Sequence, residues 1–156
     1  MAYLALKYAH VIGAIVLLGT GSGIAFFMLM AHRTGEAALI AHTAGTVVVA
    51  DTIFTATAVV VQPITGVLLA LEAGYPLTET WIVASVALYL LAGAAWLPVV
   101  AIQLRMRDLA RAAVAGGVAL GEDYHRLYRR WFALGFPGFG AVVAILWLMI
   151  AKPGLA

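Results

Sequence analysis

The chain has 156 residues, 65% of them apolar and 10% charged, a formal net charge of +2 and no cysteine. A soluble domain carries roughly 25% charged residues, so the composition excludes a water-soluble globule and leaves no room for a sizeable soluble domain beside the apolar runs. The lack of cysteine excludes disulfides, thiolate metal ligation and cysteine nucleophiles, and no basic tract interleaved with aromatics points to nucleic acid.

The first predicted span covers residues 3–31. Its apolar run exceeds the roughly 7–15 residues of a signal-peptide core, the early segment has only Lys7, and no small-residue cleavage site follows, so Met1 onward reads as mature protein. Ala5, Ala9, Gly13, Gly21 and Ala25 form a ladder of small residues, with Gly19 and Gly23 as a G-x-x-x-G pair. Such ladders let helix backbones approach, within one monomer or across a dimer seam. His10 lies inside this span, about 10 Å from its N-terminal end at ~1.5 Å per residue, on a face continued by Ala14, Leu17, Gly21 and Met28.

A polar turn from His32 to Glu36 leads into the second span, residues 37–71. At ~1.5 Å per residue it is about 50 Å long, more than a hydrocarbon core of ~30 Å needs. Either its first turns, with His42, stand outside the core, or the helix is tilted or broken. Within it, Asp51, Thr55, Ala58, Gln62 and Thr65 share one face of a helix. Lipid cannot solvate that face, which should turn toward other helices or a cavity. Pro63 is the expected kink. It removes an amide donor and frees the carbonyl of Val59, which a Thr or Gln side chain can satisfy.

The loop from Glu72 to Thr80 contains no Lys or Arg. The third span, residues 81–104, aligns Ser85, Tyr89, Ala92, Trp96 and Gln103 on one face, expected to meet the polar face of span two because buried Tyr and Trp tips need hydrogen-bond partners. Residues 105–130 are basic and amphipathic. The helix of span three is expected to continue beyond the membrane, turn at Gly116-Gly117 and Gly121, and restart at Glu122, which pairs with Arg126 at i, i+4. The fourth span, residues 131–151, contains Gly135-Phe-Pro-Gly-Phe-Gly140, poor helix material that predicts an interrupted helix covered by protein or lining a cavity.

Arg33, Arg105, Arg107, Arg111, Arg126, Arg129 and Arg130 fall on one side of this topology, and only Lys7 and Lys152 on the other. The positive-inside rule then places both termini outside and the basic loop in the cytoplasm. His10, Gln62 and Tyr89 come to the outer half of the bundle. Asp51, His32, His42 and His125 come to the inner half or its surface.

His10 admits two readings. An intramembrane histidine is a functional-site hypothesis by default, and imidazole is a standard axial ligand of haem iron, with small neighbours making room for a flat ring. Alternatively it is a neutral histidine hydrogen-bonded to Gln62 or Tyr89. The other histidines are too far along the bundle axis to share one iron with it. Asp51 relays protons, holds a cation, or sits as a neutral acid; if span two starts late it is merely interfacial. Met28-Leu-Met30-Ala-His32 has the residue types of a soft copper site, but Met30 points away from the other two on a helix, so the methionines read as lipid-facing. His32 with His42 across the turn is a two-imidazole metal site lacking a third ligand. No phosphate-cradling loop, nucleotide fingerprint or hydrolase elbow is present.

At Leu6 to His10 (LKYAH), at QPITGVLLALEAGYPL and at LPVVAIQLRMRDLA, the chain resembles a family of small bacterial predicted integral membrane proteins of unknown function. More distantly, Lys7, His10 and His32 make the opening similar to the HemJ-type protoporphyrinogen oxidase, and the chain is loosely similar to the membrane domain of copper-resistance proteins. The HemJ likeness implies haem at His10. It departs from that family late in the first span, where Phe26 and Phe27 stand in the region of the family's arginine.

These readings converge on an all-α, four-helix antiparallel bundle, one transmembrane domain over residues 1–156, with a cytoplasmic helical extension between spans three and four. The expected location is the bacterial inner membrane, with the lipid bilayer as partner and a homodimer or larger complex compatible with the small-residue ladder. The leading expectation is a haem- or porphyrin-binding protein with a redox role. In it haem b is held by His10, Gln62 and Tyr89 orient the imidazole or a propionate, and Asp51 passes protons. The competing classes are a transport or metal-resistance component using Asp51, His32 and His42 as transient ligands, and a cofactor-free accessory subunit of a membrane complex.

Overall fold

A computed structural model describes residues 1–153. It contains four long helices, α1 (Ala2–Thr34), α2 (Ala37–Glu72), α3 (Thr80–Gly116) and α4 (Glu122–Ala151), each with a stretch apolar and long enough to cross a bilayer. No strand occurs among the described residues. The chain is an all-α, multi-pass membrane bundle whose successive helices run antiparallel. The reason is backbone chemistry. Hydrocarbon offers no partner for N–H and C=O, so each crossing must satisfy its own amides as a helix.

That constraint overrides local propensity in α4. The glycine- and proline-rich stretch from Gly135 to Gly140 does not interrupt the helix, contrary to expectation; α4 runs unbroken through it. Gly138 packs against α3, where an added Cβ would lie 3.6 Å from the Cβ of Ala95. The α3–α4 contact is the most extensive in the bundle, consistent with small residues letting two backbones close up.

The turn from α3 to α4 uses Gly117 at φ 61°, a left-handed position that favours glycine. Helix α4 then restarts at Glu122. Glu122 bonds Arg129 at 2.8 Å and Asp123 bonds Arg126 at 2.7 Å, so the expected Glu122–Arg126 pair is replaced by two neighbouring pairs. At the opposite end Lys152 closes the bundle. Its ammonium lies 4.6 Å from the centre of the Tyr75 ring, and Tyr75 meets Trp81 edge to face at 5.4 Å. The last turn of α4 is thereby tied to the α2–α3 connection by cation–π and aromatic contacts.

The densest packing lies toward the end that carries the arginines. Met28, Ile40, Met106 and Tyr124 are fully buried there, with Tyr128 and Trp131 beside them. Met28 is therefore a core residue rather than a lipid-facing one, because its face of α1 is covered by α2 and α4; Met30 remains exposed. In the small-residue ladder, Gly13 is buried against α2, whereas Gly19 and Gly21 meet no other group.

Helix α2 changes partner along its length. Its first half packs on α3 and α1, its second half on α1. The change falls at a π-turn, Asp51–Thr55, where the Ala56 amide donates to the carbonyl of Asp51. Beyond it stands Pro63, within the helix. Pro63 has no N–H to give the carbonyl of Val59. The hydroxyl of Tyr89 on α3 donates to that carbonyl instead. The satisfying group is thus a tyrosine from the neighbouring helix, not a Thr or Gln of α2 itself.

This contact yields a double-mutant test. Tyr89→Phe leaves the Val59 carbonyl without a donor and should cost about 1 kcal/mol. In a Pro63→Ala background the restored amide supplies the donor, and the same substitution should cost markedly less. Thermal unfolding of the four proteins in detergent measures the coupling.

Candidate functional site: a buried polar row on the second helix

Asp51, Thr55, Ala58, Gln62 and Thr65 are all buried. The face that could not meet lipid is turned inward along its whole length. Asp51 lies about 5 Å along the axis from the midpoint between Glu36 and Glu72, the charged residues flanking α2. It therefore stands near the middle of α2. The indole N–H of Trp96 on α3 donates to its Oδ1 at 3.2 Å. No Lys or Arg pairs with it among the described residues. The predicted α3 face thus meets α2 at two points, Trp96 on Asp51 and Tyr89 on Val59.

At the other end of the row His10 reaches across from α1. Its Nδ1 lies 3.0 Å from the hydroxyl of Thr65. That hydroxyl also lies 2.9 Å from the carbonyl of Val61, four residues back. A threonine has a single proton to give. When it goes to the carbonyl, the oxygen accepts from Nδ1–H, which leaves the lone pair on Nε2. The imidazole lies over Gly66, where an added Cβ would come 3.1 Å from Cε1. One turn along, Gln62 occupies space that Gly13 leaves open; a Cβ on Gly13 would fall 2.5 Å from Oε1 of Gln62. Gly13 and Gly66 therefore form one lock, each helix omitting a side chain where the other inserts one.

The row is incompletely satisfied. The hydroxyl of Thr55 and Oε1 of Gln62 are buried with no partner. Buried polar groups are nearly always bonded, so these two oxygens mark places where a water, proton carrier or cation would find an acceptor. Of the residues expected to surround His10, Gln62 stands one helical turn away on the same interface, while the hydroxyl of Tyr89 is engaged by a backbone carbonyl of α2.

A second cluster lies at the arginine-bearing end. His32 stacks on Tyr128 with ring centres 3.5 Å apart and planes 9° from parallel. Its Nδ1 lies 3.3 Å from the hydroxyl of Tyr124, and His125 packs edge-on at 5.8 Å. The i, i+4 spacing of Tyr124 and Tyr128 puts them on one face of α4, but nothing in the spacing links them to His32. His42 instead lines a surface groove beside Arg111. No group of three His, Asp or Glu residues suited to a metal occurs among the described residues.

Burial, and then the neighbouring His125, lower the pKa of His32 below its ordinary value near 6.5. Above pH ~6.5 folded and unfolded forms are both neutral and the contribution to stability is complete. As pH falls through that value the unfolded chain takes up the proton first, so stability declines until the folded imidazole also titrates. Thermal midpoints in detergent should therefore fall on acidification from about pH 7.5 to 5, and His32→Phe, which keeps the stacking, should flatten that dependence.

No curated protein and no solved structure matches the chain. The likeness to the HemJ-type oxidase and to copper-resistance domains accordingly rests on the quoted residues alone. A family model described as a predicted integral membrane protein does match, over residues 4–153. With four membrane-crossing helices and a match across nearly its whole length, the chain belongs to the predicted integral membrane protein family DUF2269.

Proposed function

We propose that this is a haem- or porphyrin-binding membrane protein with a redox role, using His10 as the axial ligand. The observation that supports this reading is the bond between His10 Nδ1 and Thr65. Metal-ligating histidines typically donate their second ring nitrogen to a fixed acceptor, which sets the tautomer and the ring plane. Here Thr65 holds Nδ1 and Gly66 supports the ring. The donor set fits one imidazole ligand and no more, since the other histidines lie at the opposite end of the bundle. When bound, haem would supply one-electron chemistry. The chain would supply orientation of the imidazole through Thr65, exclusion of bulk water by the apolar helices, and a protonatable group at Asp51.

A second reading, a proton or small-cation path, is favoured by the unpartnered oxygens of Thr55 and Gln62 on the same row. They stand between Asp51 and the Thr65–His10 pair. An intramembrane chain of acid, hydroxyl, amide and imidazole is the kind of sequence found along proton routes.

A visible spectrum of the intact protein, purified in mild detergent from haem-replete cells, tests the first reading. A Soret band is expected, His10→Ala should abolish it, and Thr65→Val should weaken haem retention by roughly 10- to 100-fold. A wild-type protein with no Soret band, or a band indifferent to His10→Ala, rejects haem ligation at this site. Proton flux into liposomes carrying a pH dye tests the second. Asp51→Asn should reduce it at least several-fold, and equal leakage through wild type and variant would reject the path.

A further inference from the structure

Between α2 and α3, at the arginine-bearing end, a groove of about 410 Å³ is lined by His42, Gly45, Thr46, Val49 and Arg111. Gly45 has no side chain, and the Arg111 guanidinium lies in the gap, 3.4 Å from where a Cβ would be. Three arginines of this end, Arg107, Arg126 and Arg129, are ion-paired. Arg111 has no carboxylate partner among the described residues. Its charge is instead laid against α2, beside the imidazole of His42 and the hydroxyl of Thr46. On the other flank of the same two residues lies a second groove of about 410 Å³, between α1 and α2. That one is mainly apolar, with Phe27, Met30, Leu39 and Val47 in its walls. His42 and Thr46 thus form a ridge with a cationic recess on one side and an oily one on the other.

We infer that this ridge is a binding site for a phospholipid with a net-negative phosphodiester headgroup, in the leaflet at the arginine-bearing end. The phosphate would be received by Arg111, with the ring N–H of His42 as a further hydrogen-bond donor, and an acyl chain would lie along Phe27, Met30 and Leu39; the Thr46 hydroxyl donates to the carbonyl of His42 and only lines the ridge. The recognition is charge complementarity joined to amphipathy. An unpaired guanidinium matches phosphate geometry, and basic pockets between membrane helices receive anionic headgroups. A free phosphate could satisfy the first recess but has nothing to place in the second.

The delipidated full chain, in non-ionic detergent, can be offered equal amounts of dioleoyl phosphatidylglycerol and dioleoyl phosphatidylcholine and the retained lipid read by native mass spectrometry. Wild type should retain the anionic lipid in about fivefold preference, the scale of one juxtamembrane arginine. Arg111→Gln should bring the ratio close to one. Gly45→Val, which displaces the guanidinium without removing it, should do the same. Arg105→Gln, at an arginine outside the groove, should leave the preference intact. Equal retention of the two lipids by wild type overturns the site, as does a loss of preference in Arg105→Gln as large as in Arg111→Gln. Displacement of the lipid by millimolar inorganic phosphate overturns it too, by showing that the recess reads phosphate alone.

Discussion

Asp51 stands on a helix that must pass through hydrocarbon, and a carboxyl near the centre of a bilayer costs roughly 2.5–3.5 kcal/mol on insertion scales. Much of the bundle can be understood as the relief of that cost. The acid is buried and receives the indole proton of Trp96. The same face carries Thr55, Gln62 and Thr65 inward with it, because residues spaced by three and four share a helix face whatever their chemistry. Helix α1 then supplies the complementary surface: Gly13 for the amide of Gln62, His10 for the hydroxyl of Thr65. One polar row thereby decides which sides of three helices face each other.

The row also runs through the least regular part of the backbone. The π-turn at Asp51–Thr55 falls where α2 ceases to pack on α3 and relies on α1. π-turns are rare and often occur at functional sites. Pro63 leaves a second defect a few turns on, filled by the Tyr89 hydroxyl. In each case a polar tip from α3 crosses to α2 as the two helices diverge. These contacts hold the diverging half of α2 in place where continuous apolar packing is thin. The same stretch of α2 carries the buried oxygens of Thr55 and Gln62 that lack partners.

The two ends of the molecule are built differently. The arginine-bearing end has the dense core, the aromatic stack on His32 and several surface ion pairs. The opposite end is closed by Lys152 on Tyr75 and Trp81, and the interior near it holds the His10–Thr65 pair. The molecule thus joins a densely packed base to a polar half with less apolar packing. Local opening is easiest where apolar contact is sparse.

Composition and period alone determined the class of this protein. Four apolar runs in a chain with so few charges can only be helices, since lipid withholds hydrogen bonds from any other backbone arrangement that is not a closed barrel. The inward face of α2 was equally legible, because Asp51 and Gln62 are both ill-suited to oil and fall on the same face by simple angular counting. Only the tertiary structure decided which groups answer that face. Tyr89 was read as a companion of His10 and serves the carbonyl freed by Pro63; Met28 was read as lipid-facing and is core; Gly135 to Gly140 was read as a break and is helix. Each depends on which neighbour covers a given side of a helix. That choice is made by contacts between residues far apart in the chain, on which local spacing carries no information.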